Sequence, residues 1–356
     1  MDPVQSFILR IVLSPISLIY GILVFLRLQL YRFGFLKSIK FSLPIISVGN
    51  LSVGGTGKSP HIEYLMSLLD PYILIGTLSR GYKRRTTGFK VVQTNHTVSE
   101  VGDEPLQLKK NFPQNLVAVS ENRVLAIPQM MMQKPDLQCI LLDDAFQHLA
   151  VNPALNILLT DYNDLFVNDY LLPSGRLREW RNGYKRADFI IVTKCNDEIS
   201  LEEMNLIIEK INPLAYQKIF FSKFQYQSLN ELFTGESLSL PKDKNVLLVS
   251  GIANNDYLKK YLNQHSNSII ELDYPDHYQF TEKDIDTIQQ NWERLDKQNS
   301  IIITTQKDAM RLYPFKTKIE QAKIPIYFLP IKVGFHQNQP NNFDESIKNF
   351  LLDFKI

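Results

Sequence analysis

The chain has 356 residues, a formal net charge of +2, 44% hydrophobic residues and 21% charged residues. That length suits one large domain or two modest ones, and the composition is that of a folded globular protein, not of a disordered one. Near-neutral charge argues against a protein built to coat nucleic acid, although a local basic patch is still allowed. Cys139 and Cys195, the two cysteines, are too few for a disulfide framework. Lying in or beside apolar runs, they read as buried thiols of a reducing compartment.

From Ile11 to Leu26 the chain carries no charge, with Arg10 before the run and Arg27 after it. The run is shorter than the roughly 20 residues that span a bilayer core. Arg27, Arg32, Lys37 and Lys40 then alternate with Leu28, Leu30, Tyr31, Phe33, Phe35 and Leu36. This mixture predicts a helix that dips into a membrane interface beside anionic headgroups. A helix buried against the domain is the competing reading. A cleaved signal peptide is disfavoured, because no small-residue cleavage site follows.

Short apolar runs follow at 43–50, 72–79, 115–120, 139–144, 155–161 and 189–194, mostly spaced to admit a crossover helix. Several are continuous and not alternating, as strands covered on both faces are. The pattern predicts a doubly wound, mostly parallel α/β domain over 41–218, after a membrane-associated segment at 1–40. Runs at 245–253, 268–274 and 300–306 predict a smaller α/β domain over 219–335. The segments 219–226 and 326–335 pair as its linker, and a C-terminal helix at 336–356 packs back on the first domain.

The first strand runs into "VGGTGKSP". In a phosphate loop the backbone N–H groups wrap the phosphates, the lysine neutralises charge, and the hydroxyl ligates Mg²⁺. Gly54, Gly55, Thr56, Gly57, Lys58 and Ser59 fit, with Ser52 where the strict pattern has glycine. Pro60 is tolerated so near a helix start. The acid expected at a strand end to hold the metal is supplied by Asp143 and Asp144 in "CILLDDAFQH". Nucleotide plus Mg²⁺ is the reading. "TKCN" lacks the carboxylate of a guanine-reading element, and Val53 stands where partitioning-type ATPases carry a second lysine. A transferase or ligase remains, with acceptor candidates in "LSRGYKR", "VGDEP", "PSGRLREW" and "DYPDHYQF". For each of these a plain basic loop, an N-cap or a structural histidine is the alternative.

Taken in order, "VGNLSVGGTGKSP", "LSRGY", "VGDEP", "DDAFQH", "LPSGRLRE", "DHYQF" and "TTQKDA" resemble the tetraacyldisaccharide 4′-kinases of lipid A synthesis. The resemblance implies transfer of the γ-phosphoryl of ATP, with Mg²⁺, to the 4′-hydroxyl of a tetraacyl glucosamine disaccharide 1-phosphate, making lipid IVA. It implies work at the cytoplasmic face of the inner membrane of a Gram-negative bacterium, with no nucleic acid and no protein partner inferred. By motif position Asp103 acts on the acceptor hydroxyl, with His277 as its partner from the second domain and Lys58 at the transferring group. Arg80, Tyr82, Arg123, His148 and Arg178 fall at substrate contacts; Ser59, Asp143, Asp144 and Glu179 fall near the metal. A dyad split between domains implies closure before transfer. Ala145 and Gln306 depart from the family pattern, and the role of Lys307-Asp308 is open. A kinase or ligase for a soluble metabolite and a non-enzymatic, nucleotide-dependent membrane scaffold are the rival readings.

Overall fold

The structure, a computed structural model, describes residues 3–355, with side chains from Arg10 onward. Residues 1, 2 and 356, at the ends of the expected terminal segments, lie outside that description. The chain divides into two compact units. One runs to Arg80 and includes Asn115–Phe224 and the stretch from Val333 on; the other comprises Gly81–Gln114 and Gln225–Lys332.

In the first unit the strands follow the spatial order Ile331–Phe335, Lys218–Tyr226, Phe189–Thr193, Leu155–Asp161, Ile45–Asn50, Cys139–Asp143, Ile75–Ser79, Leu116–Val119. From Leu116–Val119 through to Lys218–Tyr226 the pairing is parallel. Ile45–Asn50, Cys139–Asp143 and Phe189–Thr193 are buried at every position, which is why their sequences are continuous apolar runs without alternation. The chain order reverses around Ile45–Asn50. Such a switch point opens a crevice at the carboxyl ends of the strands.

The helix Pro3–Arg32 extends beyond the predicted apolar run at both ends. It docks through a narrow polar and small-residue stripe. The Ser17 hydroxyl lies 2.7 Å from Ser174 Oγ, the Tyr20 hydroxyl donates to the Arg178 carbonyl at 2.6 Å, and the Trp180 indole donates to the Gly21 carbonyl at 2.8 Å. The opposite face, with Ile11, Val12, Ile16, Ile19, Leu23 and Leu26, is exposed. So many contiguous exposed apolar side chains mark an interaction surface.

The second unit has a six-stranded sheet in the order Ser237–Leu238, Leu229–Glu231, Ile326–Leu329, Ser300–Thr305, Lys244–Ser250, Ser266–Asp273. Its last four strands in that order are parallel. Here the structure departs from the boundaries expected from sequence: 81–114 belongs with this unit, not with 41–218. Glu104 pairs with Lys307, and Asn111 accepts from Gln306 Nε2 at 3.4 Å, so the helix Asp103–Asn111 lies along Gln306–Leu312. Pro330 separates Ile326–Leu329, in the second unit's sheet, from Ile331–Phe335, which lies beside Lys218–Tyr226.

Candidate active site

The strand Ile45–Asn50 delivers the chain into a loop whose shape depends on glycine at two positions. Gly54 has φ +116° and Gly57 has φ +87°, where side chains are strained. A Cβ on Gly57 would also meet the Phe224 ring at 2.8 Å. The helix Lys58–Leu69 starts at once, with no acidic residue in its first turn, so its amide end and dipole are offered to an anion. Asn50 braces the loop: its Nδ2 donates to Thr56 Oγ1 at 2.9 Å and its Oδ1 accepts from Lys58 Nζ at 3.4 Å. Burial pushes the His61 imidazole down to about 4, keeping it neutral. Its Nδ1 donates to the Gly57 carbonyl at 2.7 Å, which clamps the first turn.

Register places Asp143 opposite Val48 on the neighbouring strand, beside the start of the loop. Asp144 follows with φ +46°, a left-handed conformation uncommon for a non-glycine residue and concentrated at functional sites. Its carboxylate lies 3.7 Å from Lys58 Nζ and accepts from Arg178 Nη1 at 2.8 Å. Burial would raise this carboxyl, but Lys58, Arg178 and Arg123 outweigh that and hold it below the usual carboxylate range. Arg123 is buried and donates through Nη2 to the carbonyls of Asp143 at 2.7 Å and Asp144 at 3.1 Å. The structure thus puts it on the backbone of the acid pair. His148 is pushed down to about 4 by burial and then by Arg123, Arg27 and Arg80.

Glu179 is buried, and both of its oxygens accept from Arg186 at 2.8 Å, while Gln147 Nε2 adds a third bond at 3.0 Å. Its carboxylate braces the loop that carries Arg178. Among the described residues no group of three His, Cys, Asp or Glu gathers as a metal cage. Ser59, Asp143 and Asp144 supply hard oxygen donors of the kind Mg²⁺ takes. That ion ordinarily needs only one or two protein ligands beside phosphates and water.

In the second unit, Asp103 opens the helix Asp103–Asn111 and is buried, with a side-chain exposure of 4%. Its Oδ2 lies 2.9 Å from His277 Nδ1. The same oxygen accepts from Arg311 Nε at 3.1 Å and from Arg311 Nη2, and Oδ1 accepts the Glu104 N–H at 3.0 Å. Burial would raise the carboxyl, yet the His277 bond and the charges of Arg311, Lys307 and His277 hold it well below the usual carboxylate range. A carboxylate so held accepts a hydrogen from Nδ1, so Nε2 is the ring nitrogen turned away from Asp103. His277 has φ +56°, sits in the turn closed by Tyr278 N to Pro275 O at 3.0 Å, and stacks edge-on to Tyr82 with ring centroids 4.9 Å apart. Asp103 and His277 belong to one unit, not to two as the sequence suggested. Asn50, Gln147, Arg186, Asp308 and Arg311 were not singled out by sequence for the contacts they make. Only the i, i+3 spacing of Asp308 and Arg311 on one helix signals their pairing.

A glycine-shaped loop opening a helix at the switch point of a parallel sheet, with a lysine and a strand-end acid against it, defines a phosphate-loop nucleotide-binding protein. The family model for LpxK, tetraacyldisaccharide-1-P 4′-kinase, matches residues 9–351. Relatives named tetraacyldisaccharide 4′-kinase include one from Bacteroides thetaiotaomicron, 41% identical over 353 residues, 96% of this chain and 93% of its own. Another, from Flavobacterium johnsoniae, is 41% identical over 350 residues, 97% of this chain and 98% of its own. The crystal structure of LpxK from Aquifex aeolicus in complex with ATP superposes with a TM-score of 0.73 at 28% identity, covering 97% of this chain and 98% of that one. The chain belongs to the tetraacyldisaccharide-1-phosphate 4′-kinase family, as its motifs implied, and is a kinase.

Proposed function

We propose that the chain transfers the γ-phosphoryl of ATP to the 4′-hydroxyl of a tetraacyl glucosamine disaccharide 1-phosphate, making lipid IVA at the cytoplasmic surface of the inner membrane. The observation that carries the chemistry is the His277–Asp103 contact at 2.9 Å, in which the carboxylate is held by Arg311 and the imidazole, with a side-chain exposure of 16% against 4%, is the more open member. By motif position the resemblance implies that Asp103 acts on the hydroxyl proton. The geometry favours His277 Nε2 as its acceptor, with Asp103 fixing the tautomer and orientation. In the transfer the acceptor oxygen forms a bond to the γ-phosphorus, the bond from that phosphorus to the β–γ bridging oxygen breaks, ADP leaves, and the hydroxyl proton passes to Nε2.

The loop Gly54–Gly57 with Lys58 binds the phosphates, and Lys58 offsets charge on the transferring group. Ser59, Asp143 and Asp144 would hold Mg²⁺, which when bound neutralises phosphate charge. Arg178, set against Asp144, and Arg123, on the acid pair's backbone, keep those carboxylates in place. Arg80, Tyr82 and His148 remain the candidates for direct acceptor contacts. The exposed apolar face of Pro3–Arg32, on a helix that also carries Arg10, Arg27 and Arg32, supports membrane association. The test is transfer of label from γ-labelled ATP to the tetraacylated lipid in mixed micelles. Labelled lipid that disappears in Lys58→Ala supports the proposal. Equal labelling of a water-soluble sugar, after deletion of residues 1–36 without loss of rate, would indicate the soluble-metabolite kinase instead.

A further inference from the structure

The motif "TTQKDA" has no part in the chemistry above, and the residue three positions after its aspartate, Arg311, is buried with a side-chain exposure of 2%. A fully desolvated guanidinium is costly unless its charge and donors are met. Arg311 meets them on three acceptors. Nε and Nη2 go to Asp103 Oδ2, Nη1 goes to Asp308 Oδ1 at 2.7 Å, and Nη1 also reaches the Gly251 carbonyl at 2.8 Å. Asp308 is in turn fixed through its other oxygen by the Gly251 N–H at 3.0 Å and the Thr305 hydroxyl at 2.7 Å. The Gly251 carbonyl also accepts the His277 N–H at 3.1 Å. One peptide group therefore ties the backbone of His277 to the same clamp that holds the carboxylate under its ring.

We propose that Arg311, anchored by Asp308, is a positioning residue for phosphoryl transfer: it fixes the Asp103 carboxylate beneath the His277 imidazole and offsets its buried charge. The proposal rests on the reading that the Asp103–His277 pair takes the hydroxyl proton. The charged and titratable groups that bear on the pair are Arg311 and Lys307, which favour the carboxylate, and Glu104, Asp308 and Asp276, which favour a proton on it; Asp276 Oδ2 lies 3.8 Å from His277 Nε2. Without the guanidinium, the buried negative charge draws a proton onto the pair at higher pH, and Nε2 is then blocked. A merely structural role, stapling the helix Asp103–Asn111 to Gln306–Leu312, would lower stability without moving the pH profile.

The test uses the full chain in mixed micelles, with ATP affinity and thermal midpoint measured beside kcat and its pH dependence. His277→Ala serves as the reference for the pair. In Arg311→Met, kcat falls by about 10²-fold, as misplacement of a catalytic group by about 1 Å does, and the acid limb of kcat moves to higher pH while ATP affinity holds. Arg311→Lys keeps the charge and loses the planar fork. Its acid limb stays near that of the unaltered chain, while kcat remains reduced, by less than in Arg311→Met. Asp308→Asn keeps Arg311 but frees it, and moves the limb in the same direction as Arg311→Met by less. If Arg311→Met does not fold, the Lys and Asn variants carry the comparison. Loss of turnover in His277→Ala with unaltered kcat and pH profile in the folded Arg311 and Asp308 variants overturns the proposal alone. Retained turnover in His277→Ala overturns the reading beneath it as well.

Discussion

Replacing Gly21 with valine attacks the docking of the helix Pro3–Arg32 without touching a residue assigned to the chemistry. A Cβ at this position would lie 2.5 Å from Trp180 Cζ2 and 2.7 Å from Leu171 Cδ1. Carbon atoms in favourable contact are about 3.5–4.0 Å apart, so the helix and the loop 169–181 must separate by about 1 Å. The helix cannot slide to escape, because Ser17 and Tyr20 are bonded to the same loop. Overpacking of this kind costs about 1–3 kcal/mol. The Trp180–Gly21 bond, worth about 1 kcal/mol, is strained with it. The displaced segment carries Arg178, whose guanidinium meets Asp144 at 2.8 Å, and Asp144 faces Lys58. The expected result is a lower thermal midpoint and a reduced kcat, by up to about 10²-fold for a displacement of about 1 Å, with Gly21→Ala milder on both counts. Both are measured on detergent-solubilised protein with the lipid acceptor. A Gly21→Val chain with unaltered midpoint and kcat would refute the claim that this stripe docks the helix.

Further outcomes follow from buried groups. Burial pushes the thiols of Cys139 and Cys195 up to about 12, so neither reacts with a thiol reagent at pH 8 in the folded chain, and both react after denaturation. Arg186→Ala leaves the Glu179 carboxylate buried without its fork. Arg186 is partly solvated, so the expected loss of about 2 kcal/mol, read from a chemical melt, lies below the roughly 3–5 kcal/mol of a fully buried pair. The Asp103 carboxyl is held below its unfolded value near 4. Its contribution to stability is therefore complete above that value and lost as pH falls through the folded one, and Asp103→Asn flattens the dependence of the melt on pH below about 4.

The phosphate loop is legible in the sequence because its geometry is local. Gly54 and Gly57 are placed where the backbone turns left-handed, and Lys58 follows within one residue of the helix start. The parallel strands are legible for a related reason, since burial on both faces writes itself as an unbroken apolar run. What depends on distant partners is not. Nothing near Asp103 says that its helix lies along Gln306–Leu312, and so the sequence alone places 81–114 with the first domain. Glu179 reads as an available carboxylate until Arg186 folds onto it. Arg123 reads as a free cation until its guanidinium is seen on the carbonyls of the acid pair. The motif "TTQKDA" reads as a helix cap, which it is through Thr305, while its second use through Asp308 and Arg311 exists only in three dimensions.

The central claim is that nucleotide capture and proton acceptance are carried by different residue sets, Lys58 with its loop and His277 with Asp103. The most direct measurement is ATP affinity beside single-turnover transfer to the tetraacylated lipid in Lys58→Ala and His277→Ala. The account predicts that His277→Ala binds ATP as the unaltered chain does and transfers about 10²–10⁴-fold more slowly, whereas Lys58→Ala is impaired in both. Transfer by His277→Ala at an undiminished rate would contradict it.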